Sequence, residues 1–168
     1  MRKQSREAEY ILHTIPPTWN ADSRILVLGS FPSVKSREMT YFYGHPQNRF
    51  WQVMAVLYEQ PFPETVEERR TFLLKNRIAA WDVIASCTIS GSSDSSIRDV
   101  KVNDLSPILE GADIRKIFVN GKKAFQLYTR FTQPMIRREA VCLPSTSPAN
   151  ASWSLEKLID AWAVIRAC

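Results

Sequence analysis

The apolar positions of this chain follow two periods, and the switches between them mark out its elements. Short runs rich in β-branched residues and leucine, bounded by turn residues, predict buried strands over 25–28, 77–84, 116–120 and 139–143. Elsewhere apolar residues recur at i, i+3, i+4 and i+7: Phe50, Val53, Met54 and Leu57; Ala124, Leu127, Tyr128 and Phe131; Leu155, Leu158, Ile159 and Trp162. Each set is one face of an amphipathic helix. Thr65-Val66-Glu67-Glu68 has the form of a capping box and predicts a further helix running to Asn76. Asn103 or Asp104 is placed to cap a short helix carrying Leu105, Ile108 and Leu109, which Gly111 would end. The lead-in, 1–23, is charged and Pro-containing and fixes no conformation.

Strands alternating with helices predict an α/β fold, three-layer α/β/α around a central four-stranded, mainly parallel sheet. In such sheets ligands bind beyond the carboxyl ends of the strands. The loops at those ends hold 31–48, Trp81-Asp82 onward, Asn120-Gly121-Lys122-Lys123, and 145–150, so chemically loaded segments converge on one edge. Tyr41, Phe42 and Tyr43 stand together in the first of them, and three adjacent rings cannot all face the core. Ser90 to Ser96, SGSSDSS, is a loop by composition and a functional one by length.

With 168 residues, 45% hydrophobic and 23% charged, residues 1–168 read as a single domain of globular composition. No apolar run approaches the roughly 18 residues of a membrane span, and MRKQSREAEY lacks a signal peptide's apolar stretch, so a cytoplasmic location is expected. Asn150-Ala151-Ser152 then matches a glycosylation site by accident. A net charge of +5 suits a polyanionic partner without requiring one. Most basic doublets read as solvated surface; Lys122-Lys123, at a strand end, is the exception. Cys87, Cys142 and Cys168 are too few for a four-cysteine iron–sulfur cluster and too scattered for a disulfide framework; Cys87 and Cys142 read as buried, inert thiols. Two histidines, His13 and His45, exclude a His-rich metal site, and no cofactor is expected.

Gly44-His45-Pro46-Gln47-Asn48-Arg49-Phe50-Trp51 and Leu143-Pro144-Ser145-Thr146-Ser147-Pro148-Ala149-Asn150 resemble the two signature regions of the uracil-DNA glycosylase superfamily, and within it the hypoxanthine-DNA (deoxyinosine) glycosylases. The resemblance covers roughly residues 24 to 162. It implies a monofunctional DNA glycosylase that flips out a deaminated base, hypoxanthine first, and hydrolyses its N-glycosidic bond to leave an abasic site, with DNA as partner, no lyase lysine, no metal, no obligatory protein partner and a monomeric state. The alternatives are a uracil or thymine mismatch glycosylase and a catalytically weak damage-binding module.

Such an enzyme needs a water held on the sugar, stabilisation of the departing base, and phosphate contacts. Asn48 is the candidate for the water, through its amide oxygen; it is equally suited to cap the following helix. The relatives usually carry an Asp or Asn in the first turn where this chain has Phe31, which puts the weight on Asn48 and against strong uracil cleavage. Ser145 stands where they place a His or Asn, so help to the leaving base should be weaker. By the same resemblance the base pocket takes Phe31, Tyr43, Gly44, His45 and Asp82. Tyr43 would stack on the base, and His45 reads better as a structural hydrogen-bonding residue than as an acid or base. Asp82 would accept the N1–H of hypoxanthine or, alternatively, cap a loop; Asp94 carries the same ambiguity. Ser33, Lys122, Lys123 and Ser147 are expected on phosphates, with Thr146 among the hydroxyls beside them. Pro148, Ala149 and Asn150 match the wedge that fills the gap left by a flipped nucleotide. Ser152 or Ser154, capping the final helix, is the plainer reading of that polar cluster.

Overall fold

The computed structural model describes residues 7–168. The chain enters through a strand, β1 (Glu9–Leu12), inside the segment for which the sequence fixes no conformation. Farther along the lead-in, Thr18 forms a backbone bridge to Ala80 and its hydroxyl meets the Tyr41 hydroxyl at 2.9 Å. From Glu9 on, the lead-in is therefore part of the packed body. Its strand is legible only afterwards, because three of its four side chains are exposed and no apolar alternation marks it.

From there the order is β2 (Ile25–Gly29), α1 (Val34–Met39), α2 (Phe50–Leu57), α3 (Val66–Lys75), β3 (Ile78–Asp82), β4 (Ile84–Ile89), β5 (Arg98–Val102), α4 (Ser106–Gly111), β6 (Lys116–Asn120), α5 (Lys122–Leu127), α6 (Gln133–Ile136), β7 (Val141–Leu143) and α7 (Leu155–Trp162). A π-helical turn over Tyr128–Thr132 joins α5 to α6. The capping box forms at Thr65, whose hydroxyl accepts from Glu68 N while the Glu68 carboxylate receives the Thr65 N–H. Helix α1 lies within what read as a continuous loop; Ser33 caps it by accepting from Ser36 N.

Strands β3, β2, β6 and β7, in that order, form a fully parallel four-stranded sheet. Successive residues of β2 serve opposite faces. Ile25 and Val27 pack with Phe50, Trp51, Met54, Phe72, Leu158 and Trp162 from α2, α3 and α7. Leu26 and Leu28 pack with Ile84, Cys87, Ile108, Ile117 and Tyr128 on the other side. The expected three layers are present, and the second outer layer contains something more. Strands β1, β4 and β5 form a separate antiparallel sheet. The apolar run 77–84 reads as one strand, yet the ladder with β2 ends at Asp82, and beyond Val83 the chain turns into β4, which pairs with β1 and β5 instead. Asn103 pins this junction: its amide nitrogen donates to the carbonyls of Asp82 (2.9 Å) and Ile84 (3.1 Å). It is thus no helix cap, and Asp104 receives the Ser106 N–H instead.

Cys87 is buried, and burial pushes its thiol up to about 11. Cys142 is exposed, against expectation: on the short outer strand β7 it falls between the half-buried Val141 and the buried Leu143. No described helix is long and apolar enough to cross a membrane.

Candidate active site

The carboxyl ends of the parallel strands open into a cavity of about 300 Å³, at the lower end of the roughly 300–1,000 Å³ typical of ligand pockets. Residues 29–33, Phe42, Tyr43, His45, Asn48, Asp82, Ser92, Asp94, Asn120 and 145–149 line it, together with Ser36. The convergence of loops expected from the alternation of elements is what builds this cavity.

One wall is a continuous hydrogen-bonded network. Asn48 Oδ1 accepts from Phe50 N at 3.0 Å, securing the first turn of α2, and from Thr146 Oγ1 at 2.9 Å. Thr146 is fully buried; its hydroxyl accepts from Asn120 Nδ2 at 2.9 Å, and its N–H donates to Asn120 Oδ1 at 3.0 Å. Because the Phe50 N–H can only donate and must meet an oxygen, the orientation of the Asn48 amide is settled. The Asn48 nitrogen makes no hydrogen bond among the described residues. Asn48, one residue before the N-cap Arg49, therefore braces the start of α2 and lines the cavity at once.

Arg49 fastens the next loop to this wall. Its backbone N–H donates to Thr146 O at 3.1 Å, and its guanidinium donates to the carbonyls of Asn150 (3.1 Å), Ser147 (3.4 Å) and Trp153. Within that loop Ser145 Oγ accepts from Ser147 N, Ser147 Oγ from Ala149 N, and Asn150 Nδ2 donates to Ser145 O. Pro148 and Ala149 line the cavity; the Asn150 amide is turned back into its own loop. Ser154 caps α7, as the plainer reading of this cluster has it, by accepting from Lys157 N.

The other wall carries charge. Asp82, 4% exposed, receives His13 Nε2 on Oδ2 at 2.7 Å. Its Oδ1 makes no hydrogen bond among the described residues and lies against Gly29, where a Cβ would come within 2.4 Å of it. Tyr43 stacks on Phe50 with ring centroids 4.1 Å apart, and its hydroxyl is buried without a partner. Burial, and then the charge of Asp82, push that hydroxyl well above the ordinary tyrosine range. Asp94, from the polar SGSSDSS loop, receives Ser30 Oγ at 3.1 Å; loss of water raises its carboxyl, with Ser30 and Lys123 opposing and Asp82 reinforcing the rise. That loop is held by Val34 N on Ser92 Oγ and by the Arg37 guanidinium on Gly91 O.

Several expected positions change. Tyr41 and Phe42 enter the core, leaving Tyr43 as the half-buried ring of the three. Gly44 does not line the cavity: it is packed behind the wall, donating to Ser36 Oγ, where a Cβ would lie 2.7 Å from Met39 Sδ. His45 does line it and accepts from Gln47 N, a turn-forming bond. Phe31 lines it and is buried, edge-on to His13 at 6.0 Å. The Ser33 side chain is spent on capping α1, and the Thr146 hydroxyl points inward to Asn48 rather than outward. Lys122 and Lys123 lie outside the cavity lining and form no salt bridge among the described residues. His13, Asn120 and the clamp at Arg49 were missed. Polar residues at the carboxyl ends of neighbouring strands were a usable signal for Asn120, and none existed for His13. No group of three or more potential metal ligands occurs among the described residues.

The profile of the uracil DNA glycosylase superfamily matches residues 16–166. A hypoxanthine DNA glycosylase of Methanosarcina acetivorans is 34% identical over 156 residues, covering 90% of this chain and 96% of that protein. The hypoxanthine DNA glycosylase of Methanosarcina barkeri is 31% identical over 153 residues, covering 88% and 93%. The solution NMR structure of a Methanosarcina acetivorans protein described as a candidate uracil DNA glycosylase superposes with a TM-score of 0.77 at 32% identity, covering 90% of this chain and 93% of that one. Sequence and fold agree over nearly the whole length, and the chain belongs to the uracil DNA glycosylase superfamily.

Proposed function

We propose that residues 1–168 act as one monofunctional glycosylase domain that releases hypoxanthine from DNA. The observation that carries this reading is a small cavity that joins a rigid neutral amide, Asn48, to an open carboxylate oxygen, Asp82 Oδ1. The first suits a water at the sugar and the second suits the N1–H of a base. The two curated relatives named as hypoxanthine DNA glycosylases support the same substrate.

In the reaction, the C1′–N9 bond breaks with its electron pair going to the base, while a water oxygen bonds to C1′ and gives up a proton that ends on the departed base. The sugar is oxocarbenium-like in between, so the water needs placing more than deprotonating. The Asn48 oxygen already takes two protein hydrogen bonds. The amide nitrogen is then the atom that meets the water, donating to it and leaving a lone pair for C1′, the reverse of the role expected for the two amide atoms. The hydroxyl of Ser145 and the ring of Tyr43 border the base; Pro148 and Ala149 fill the vacated stack. No lysine lines the cavity among the described residues, which supports hydrolysis without strand cleavage. The same reading includes a monomer that works in the cytoplasm without an obligatory protein partner.

The test is a set of duplexes with one hypoxanthine, uracil, xanthine or thymine mismatch, incubated with protein and then with or without alkali. Hypoxanthine strands should break after alkali only, and a chelator should not change the rate. Tight binding with no release would favour the damage-binding reading that Phe31, in place of a polar residue, keeps open.

A further inference from the structure

We propose that His13 is a positioning residue for base selection: it holds Asp82 so that one carboxylate oxygen is fixed toward the cavity as an acceptor. The inference rests on the glycosylase reading above and adds to it the residue directly after β1, which neither signature block contains. Three observations meet at His13. Its side chain is only 1% exposed and that of Asp82 5%, with 2.7 Å between Nε2 and Oδ2. Its backbone is tied by His13 N to Ala85 O at 2.7 Å, directly after the β1–β4 ladder. Its ring is gripped edge-on by Phe31 at 6.0 Å and Trp81 at 6.2 Å. The imidazole cannot swing, so Oδ2 stays engaged and Oδ1 stays against Gly29 at the cavity.

The chemistry that follows is selective. Hypoxanthine presents N1–H beside O6, whereas adenine presents a bare N1 beside its amino group. A fixed carboxylate oxygen accepts from the first and repels the lone pair of the second. Sites built around a required hydrogen bond reject the mismatched analogue strongly, because the buried polar group is otherwise left unpaired. A carboxylate free to rotate would instead satisfy itself elsewhere in the cavity and read nothing. A purely architectural tether between β1 and the sheet would need no open oxygen.

The experiment compares wild type, His13→Phe, His13→Gln and Asp82→Ala, with His13→Phe and His13→Gln also placed in the Asp82→Ala background, on hypoxanthine duplex at saturating enzyme. His13→Phe should lower the saturated single-turnover rate about 10- to 100-fold and leave the half-saturating protein concentration within about twofold, because phosphate contacts are untouched. His13→Gln keeps an N–H donor and should recover to within about fivefold of wild type. In the Asp82→Ala background neither change at His13 should lower the rate further. Equal losses in Phe and Gln variants, or additive losses in the double variants, would overturn the proposal and make His13 a packing residue. If His13→Phe does not fold, the Gln variant with and without Asp82→Ala decides alone. Wild-type protein that releases no hypoxanthine would sink the glycosylase reading itself, and that outcome is visible before any variant is made.

Discussion

The two walls of the cavity are built on opposite principles. The Asn48–Thr146–Asn120 wall is neutral, and it joins positions about a hundred residues apart through amide and hydroxyl bonds near 3 Å. The His13–Asp82–Asp94 wall is charged and is supplied largely by segments that leave the parallel sheet for the small antiparallel one. Neutral groups hold a geometry cheaply, since nothing there needs a counter-charge and the Asn48 oxygen has both of its bonds made. Buried charges are costly to keep and give sharp preference for one donor pattern. Under the proposed function, one wall places the water and the other selects the base.

Breaking the placing wall should give the largest effect. Asn48→Ala should cut single-turnover hypoxanthine release by about 10² to 10⁴, the usual worth of a positioned group that handles the reacting water. Lost capping of α2 alone would cost only about 1 kcal/mol of stability. The rate per folded molecule at saturating enzyme separates the two, and a loss below about tenfold would take Asn48 out of the mechanism.

The selecting wall should break differently. Asp82→Ala should lower hypoxanthine release by about 10- to 100-fold, the worth of one charge-assisted hydrogen bond, while abasic-site binding and thermal stability move less. Matching losses in all three measurements would mean that Asp82 serves the junction with β4 and not the base.

These walls also differ in how far the sequence disclosed them. Asn48 and residues 145–150 sit in contiguous blocks next to strong helix periodicity, so their place at strand ends could be read directly. The rest was hidden for physical reasons. Strands β1 and β5 are edge strands whose side chains are largely exposed; β1 carries no apolar alternation, and that of β5 is only Val100 and Val102, too brief to stand out. The end of β3 and the start of β4 merge in one apolar run, and only the ladder shows where pairing changes partner. His13 lies 69 positions from Asp82, and a contact at that separation has no local signature. Thr146 and Ser147 are both hydroxyls in one loop, and nothing in their spacing tells which is fully buried.

A smaller effect should come from the joint between the placing wall and the wedge. Arg49→Lys keeps a charge but cannot span the three carbonyls that the guanidinium reaches. The 147–150 loop should loosen, with release falling about tenfold, the cost of losing about one charged hydrogen bond, and with limited proteolysis entering that loop first. Unchanged cleavage there would show that the bonds within the loop suffice.

The smallest effect belongs to the lysines that lie outside both walls, and it is the one that tests whether the walls exhaust the specificity. Lys122 is exposed and Lys123 half-buried at the start of α5, with no salt bridge among the described residues to occupy them. Each phosphate contact on duplex DNA contributes about 0.9 to the slope of log affinity against log salt. Replacing both with Ala should therefore flatten that slope by about 1.8 if both are engaged. Affinity should fall by a similar factor for hypoxanthine-containing and undamaged duplexes, while the saturated release rate changes by no more than the few-fold that Lys123 contributes through Asp94. The two lysines should not be equivalent. Lys123 acts on the Asp94 carboxyl, opposing its rise, whereas Lys122 faces Cys142 on the outer strand. Lys122→Ala alone should thus change only the salt slope, and Lys123→Ala should change the slope and also the release rate by a few-fold through Asp94. Titrations of both duplexes over a range of salt, with single-turnover rates beside them, decide the matter. A slope that stays the same in the double variant would return the doublet to ordinary surface and leave DNA affinity to the wedge loop and the cavity rim.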